Sequence, residues 1–375
     1  MAVQTSSNAV SAAVVREKGG PFIIEKLRLG EPRDDEVLVR IVATGMCHTD
    51  MVVRDQIYPV PQPIVLGHEG AGVVEQVGSR VAKVQPGDHV VLSFMSCGHC
   101  RLCAQGRPAN CVNFNAHNFS GGRADGSGTL RDDRGRVNGH FFGQSSFSTF
   151  AIANERNVVK VPRAAPLELI GPLGCGIQTG AGAVMNALKV GPGASFAAFG
   201  AGAVGLSAVM AARVVGATTI IAVDIVASRL ALAKEVGATH VVNAEEQDSV
   251  AAVKAVTGGG VQFSLETTAS ASVVRQAVDA LGVRGTCGIV GAAPLGSEIR
   301  IDVTEFMQMA KTLYGIIEGD SVPDIFIPQL IDLFLQGRFP FEKLTKIYPF
   351  ESINEAASDS ERGLTVKPII RIGKL

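Results

Sequence analysis

The chain has no tryptophan and only three tyrosines, and charged residues make up 18% of its 375 positions. Formal net charge is −1, with no basic stripe. Nucleic acid and anionic membranes are therefore not expected as partners, since both need a concentrated positive field. The first twenty residues, MAVQTSSNAVSAAVVREKGG, lack a basic head followed by a long apolar core. No signal peptide is expected. One uncharged run, ASFAAFGAGAVGLSAVMAA at 194–212, has the length of a membrane span. Its glycines at 200, 202 and 205 argue instead for a strand, a turn and a buried helix. Internal repeats and low-complexity linkers are also missing.

What is present is an apolar, glycine-rich chain, with 46% hydrophobic residues and 43 glycines. That composition suits an α/β enzyme with buried parallel strands and many tight turns. The length allows two domains with a sizeable core. Seven cysteines, an odd number without a secretion signal, point to a reducing, cytoplasmic setting and to metal ligands or thiols over disulfides.

The first 160 or so residues read as short strands, EVLVRIVATG (36–45), GAGVVEQVG (70–78) and DHVVLSF (88–94), bounded by turn residues. Residues 115–140, rich in Gly, Asp and Arg, are expected to form a long surface loop. From about 178 apolar strands (TIIAVDI, THVVN, FSLETT, TCGIVGAA) alternate with Ala-rich helical stretches, the sign of a doubly wound parallel sheet. The final segment, with FIPQLIDLFLQGRF as helix and KPIIRI as strand, is expected to pack back on the first domain.

After the strand-like ASFAAF comes GAGAVG, with Gly200, Gly202 and Gly205 in G-x-G-x-x-G register. The glycines permit a tight turn, close approach to a pyrophosphate and close helix–strand packing. Ala203 and Val204 open the next helix, whose first amides would face the phosphates. Asp224 closes TIIAVD at the place where a carboxylate accepts both ribose hydroxyls and repels a 2′-phosphate, which favours NAD over NADP. Arg229 is a candidate contact to the adenosine ribose, or an exposed helix charge.

The strongest local signal is CGHCRLCAQGRPANC. Cys97, Cys100, Cys103 and Cys111 follow C-x2-C-x2-C-x7-C. Four thiolates close a tetrahedron around Zn2+ and leave no open position, which makes such a site structural. An iron–sulfur cluster also uses four cysteines, and His99 between the ligands is expected to be exposed. Cys47, Cys175 and Cys287 remain; each alone reads as a small core residue.

GHEGAGVVEQVGSRV (67–81) resembles the zinc-containing medium-chain alcohol dehydrogenases. So do CHTD (47–50), the four-cysteine segment, GPLGCGIQTGAGA (171–183) and the later GAGAVG with its Asp, in that order along almost the whole chain. Within the family the chain is most similar to bacterial dehydrogenases of aryl and allylic terpene alcohols. The resemblance implies a GroES-like β-rich catalytic domain at 1–177, rejoined by 318–375, and a Rossmann NAD-binding domain at 178–317. It implies a homodimer, with a tetramer kept open, and two zinc ions per chain.

Cys47, His68 and Cys175 become the ligands of a catalytic zinc, Asp50 orients His68, and Glu69 lies behind the metal. Thr49 takes the alcohol proton. His48 and Lys367 fall near the cofactor pyrophosphate, and Val290 lies along the cofactor. Val52 occupies the position where many relatives carry a histidine that relays the proton to solvent. Phe94 resembles a substrate-wall aromatic, with Tyr58 and Leu295 as further apolar wall. Cys287 matches no ligand position and is expected to be buried near the nicotinamide. The activity implied is reversible oxidation of a primary aromatic or allylic alcohol with hydride transfer to NAD+. A glutathione-linked formaldehyde or polyol dehydrogenase is the alternative.

Overall fold

The structure, a computed structural model, describes residues 9–373. It divides into two compact units. Among the described residues the first takes 9–175, 322–331 and 345–373; the second takes 176–321 and 332–344.

The first unit is built on two sheets. In one, the strand order is Ile64–Val65, Ala9–Val15, Phe22–Leu29, Leu130–Asp132 and Gly135–Val137. In the other it is Val158–Lys160, His89–Leu92, Glu69–Val77, Glu36–Gly45, Lys367–Arg371 and Thr345–Pro349, with Phe150–Asn154 also pairing with Glu36–Gly45. Strand Glu36–Gly45 shows why these segments are extended. Its β-branched Val37, Val39 and Ile41 alternate onto one face and enter a cluster with Val74, Val90 and Leu92.

Residues 115–140 are not the long surface loop that their composition suggests. A short helix at Phe114–Asn118 and the strand pair 130–132 and 135–137 occupy the segment, which joins the first sheet through Phe22–Leu29. Asn118, Thr129, Asn138 and His140 are buried. Side chains satisfy the backbone there: Asn118 bridges the N–H and C=O of Met95 at 2.9 Å each, and Thr129 donates to the Gly139 carbonyl at 2.6 Å. Arg123 anchors the segment on buried Glu36 with two bonds of 2.6 and 2.7 Å.

The second unit is a six-stranded parallel sheet in the order His240–Asn243, Thr219–Asp224, Ser195–Phe199, Val261–Glu266, Leu281–Ile289, Thr312–Gly315. Strand order reverses at Ser195–Phe199, which makes its carboxyl end the topological switch point. The uncharged run resolves into that strand, a glycine turn and helix Ala203–Val214. Among the described residues no helix is long and apolar enough to cross a membrane.

The return of the chain after 318 differs from expectation. Residues 318–321 and 332–344 stay with the second unit. Phe339 and Phe341 are fully buried, the rings of Phe334 and Phe341 meet at 4.7 Å with a 49° tilt, and Lys343 pairs with Glu235 at 2.5 Å. Those contacts outweigh the continuity of helix Pro323–Leu335, whose first nine residues belong to the first unit.

Candidate metal centres and cofactor site

Cys47 caps the short helix His48–Arg54, and the carboxylate of Asp50, one turn in, bonds back to its backbone N–H at 2.9 Å. The other Asp50 oxygen accepts from Gly67 N at 3.0 Å and lies 2.9 Å from His68 Nδ1. One buried carboxylate thus fixes both the helix start and the imidazole. His68 is fully buried, and its Nε2 has no hydrogen-bond partner. A buried ring nitrogen without a partner is costly in a finished protein core. Here the sulfurs of Cys47 and Cys175 and the carboxylate of Glu69 lie with it, all donor atoms within 4.8 Å of one another.

Burial works against charge on His68, but Asp50 and the Cys47 sulfur outweigh it and push its basicity well above the ordinary value. A hydrogen bond with Cys175, aided by the charge of Lys367, holds the Cys47 thiol well below its usual range. The Cys47 and Cys175 sulfurs and an imidazole nitrogen without a hydrogen-bond partner fit Zn2+ with one position left open.

Glu69 does not supply a fourth ligand in this geometry. Both its oxygens lie 2.9 Å from Lys367 Nζ, which also donates to the Met46 carbonyl at 3.2 Å. Lys367 is 2% exposed. The assignment of Lys367 to the cofactor pyrophosphate is therefore corrected: all its reach is spent on a buried carboxylate beside the metal ligands. The packing around this pair is close, since a Cβ on Gly45 would overlap Glu69 Oε2.

The imidazole is also held by rings. Phe142 stacks on it at 4.6 Å and 28°, and Phe141 meets it edge-on at 5.2 Å. Phe142 adopts a positive φ of 49°. Asn157 donates to its carbonyl at 3.4 Å and to that of Gly143 at 3.2 Å. Gln144 donates to the His68 carbonyl at 3.0 Å and accepts from Gly70 N at 3.1 Å. The FFGQ stretch carries no chemical pattern in the sequence that marks these contacts. Phe94 is 2% exposed and packs on Phe114 at 5.8 Å, so it belongs to the same aromatic cluster. Tyr58 joins it through Phe119 at 6.1 Å. Leu295 is 76% exposed in this chain.

In the four-cysteine segment the Sγ atoms also lie within 4.8 Å of one another, with Cys97 and Cys103 sulfurs 3.9 Å apart. That is a tetrahedron edge, about 3.8 Å for a Zn–S distance of about 2.3 Å, and far too long for a disulfide. Backbone amides feed the sulfurs: Cys97 N donates to Cys111 Sγ at 3.4 Å and Cys100 N to Cys97 Sγ at 3.3 Å. Such N–H donors, from Cys103 first, bring the Cys100 thiol down to about 6, whereas burial pushes Cys103 up to about 12. His99 is exposed, as expected.

At the switch point Gly200 has φ of 101°, and a Cβ on Gly205 would overlap the Gly200 carbonyl. Only glycine allows the helix Ala203–Val214 to start this close to the strand. Asp224 accepts from Ala201 N at 2.6 Å and from Ile225 N and Val226 N at 2.8 Å each. A carboxylate has about four acceptor sites, so Asp224 holds the turn and keeps capacity for a ribose hydroxyl. Arg229 leaves its Nε buried without a partner. Val290 follows the carboxyl end of its strand and donates to the Glu266 carbonyl at 3.1 Å. Cys287 is fully buried, which pushes its thiol up to about 11.

Residues 33–163 match the family described as alcohol dehydrogenase GroES-like domain, and 203–336 match zinc-binding dehydrogenase. The chain is 48% identical to geraniol dehydrogenase of Castellaniella defragrans, over 96% of this chain and 97% of that one. The crystal structure of benzyl alcohol dehydrogenase from Acinetobacter calcoaceticus matches with TM-score 0.95 and 55% identity, over 97% and 99% of the two chains. An alcohol dehydrogenase zinc-binding domain protein from Burkholderia ambifaria matches with TM-score 0.96 and 60% identity, over 98% and 100%. The chain belongs to the zinc-containing alcohol dehydrogenase family. It is an oxidoreductase acting on alcohols, with zinc and NAD as its cofactors.

In this alcohol dehydrogenase Thr49 stands beside the ligand set, its hydroxyl 3.8 Å from Cys47 Sγ. His48 is exposed at the start of the same helix, while Val52 is 2% exposed.

Proposed function

We propose that this alcohol dehydrogenase oxidises primary aromatic or allylic alcohols to aldehydes, with NAD+ as hydride acceptor. One observation carries the reading: a buried, partnerless His68 Nε2 among Cys47 and Cys175, with Phe141 and Phe142 against its ring and Phe94, Phe114 and Phe119 packed in the same aromatic cluster. The geraniol and benzyl alcohol dehydrogenases among its relatives support a substrate with a π-system beside the carbinol. When bound, zinc supplies a Lewis acid for a substrate oxygen, and NAD+ supplies the hydride acceptor.

The chain does the rest. Cys47, His68 and Cys175 hold the metal and leave one position open. Asp50 and Phe142 fix the imidazole, and Lys367 offsets the charge of Glu69 behind it. Thr49 Oγ1 takes the alcohol proton, because a hydroxyl accepts and donates at once. Cys97, Cys100, Cys103 and Cys111 hold a second zinc that is structural. Gly200, Gly202, Ala203, Val204 and Gly205 cradle the pyrophosphate. Asp224 and Arg229 take the adenosine ribose, and Val290 and His48 line the cofactor.

The enzyme is proposed to work as a homodimer. Strand Thr312–Gly315 is the last of its sheet, and the stretch around it exposes Leu295, Val303, Met307, Tyr314 and Ile317. An open edge with apolar neighbours favours pairing with a second copy. None of the seven cysteines is in a disulfide, which suits the proposed cytoplasmic location.

The test is kcat/KM for benzyl alcohol, geraniol, sorbitol, and formaldehyde with glutathione, each with NAD+ and NADP+. Preference for either of the first two with NAD+ is the expected result. Preference for sorbitol or the glutathione adduct overturns the substrate class.

A further inference from the structure

Asp50 ties Cys47 to His68, since one of its oxygens takes the Cys47 N–H and the other meets the imidazole Nδ1. Cys175 is reached by a different route. Ser93 Oγ donates to the Gly174 carbonyl at 2.7 Å, and that peptide group leads directly into Cys175. A Cβ on Gly174 would overlap the Leu92 carbonyl, so the peptide lies hard against the end of strand His89–Leu92. Asn157 fixes Ser93 on both sides, accepting from its N–H at 2.9 Å and donating to its carbonyl at 3.3 Å.

The other half of the route is Gln144. Its Nε2 donates to the Ser93 carbonyl at 3.1 Å and to the His68 carbonyl at 3.0 Å, while its Oε1 accepts from Gly70 N at 3.1 Å. A primary amide offers two donors and an acceptor in one plane. An ionised carboxylate in its place would serve the Gly70 N–H but face two carbonyls with no proton to give. Gln144 and Ser93 are both fully buried, where each polar group left unpaired is costly. The line therefore runs from the His68 carbonyl through Gln144 and Ser93 to the Gly174 carbonyl, with Cys175 next. It lies wholly within the first unit and grips backbone, not ligand atoms.

We propose that Gln144 and Ser93 are positioning residues that act as one brace, setting the distance between His68 and Cys175 as Asp50 sets that between Cys47 and His68. Three ligands from distant segments are thereby held by two separate side-chain ties. A ligand whose backbone is already fixed loses less freedom when it takes up metal, so the brace strengthens zinc binding at this set. The four-cysteine set, which does not share these bonds, is left untouched. The assignment rests on Cys47, His68 and Cys175 as ligands.

The test is equilibrium competition of the zinc-loaded enzyme against a chromogenic chelator, which yields a zinc dissociation constant for each set. The constant missing from His68→Ala belongs to the Cys47–His68–Cys175 set. Gln144→Met and Ser93→Ala should each weaken that constant about 10–100-fold, the usual loss when a partner behind a metal ligand is removed. The other constant should stay within about twofold, as for distant, independent positions. The double variant should lie within about twofold of the weaker single one, because one cut already severs the line. Ser93→Ala deletes a single hydroxyl and carries the test if Gln144→Met does not fold. Equal weakening of both sets, or of neither, overturns the brace and leaves Gln144 and Ser93 with a general packing role. Losses that multiply in the double variant overturn it also, since they mark two separate contacts. If His68→Ala keeps both constants, the ligand assignment itself falls, and the brace with it.

Discussion

Two sets of ligands sit in the same unit and meet opposite conditions. The Cys97–Cys111 set is local in sequence, with partly exposed sulfurs fed by backbone N–H groups. The Cys47–His68–Cys175 set is gathered from distant segments and wrapped in Asp50, Glu69, Lys367 and phenyl rings. Charge accounts for the difference. Four thiolates around Zn2+ leave two negative charges, which must be met by amides and water. Two thiolates and a neutral imidazole leave none, so that site tolerates burial, and burial is what its chemistry needs. On the proposed assignment the structural site can live at the surface, whereas the catalytic one requires a second layer of charge to orient it.

The comparison breaks first at the metal. His68→Ala should reduce zinc from two per chain to one, with kcat/KM falling at least about a thousandfold, several kcal/mol of lost Lewis acidity. Elemental analysis beside steady-state kinetics checks both. An active variant with one zinc would reverse the roles of the two sites.

Cys103→Ser should also leave one zinc, but the loss should be read in stability. Structural zinc contributes to folding directly, and even about 3–5 kcal/mol lowers an apparent Tm by roughly 10 °C. The kcat of the folded fraction should stay close to wild type. If the Cys47 site empties as well, the two centres are not independent.

The third test concerns the charged layer. Lys367→Met leaves Glu69 buried and uncompensated, at an expected cost of about 3–5 kcal/mol. Adding Glu69→Gln should recover most of that in a denaturation cycle, because the pair removed together leaves no orphan charge. Additive losses would mean that Lys367 acts through packing alone.

The same contrast governed what the sequence disclosed. Local spacing made the four-cysteine site legible, and the G-x-G-x-x-G turn with Asp224 was legible because strand, turn and helix are contiguous. Cys47, His68 and Cys175 needed a family resemblance, since nothing local links them. Glu69 and Lys367 lie 298 positions apart, and pairing at that distance leaves no trace in composition or period. Lys367 was misplaced for that reason, and residues 115–140 because buried side-chain bonds to backbone do not show in polarity. Phe142 is held by a left-handed turn that no propensity favours.

The smallest effect concerns Val52, on the helix that Cys47 caps. Its buried aliphatic side chain offers no titrating group between Thr49 and solvent. Val52→His would introduce one among Met51, Val53 and their apolar neighbours. Desolvation disfavours the imidazolium, so the new group should titrate below the usual ~6.5. Above that inflection a neutral imidazole can accept the proton; below it the charged ring cannot, and single-turnover hydride transfer should slow as pH falls. Exposed His99 in the four-cysteine lobe provides the matched control, and His99→Ala should leave the profile unchanged. A Val52→His profile superimposable on wild type would mean that proton release is already unrestricted without a relay at that position.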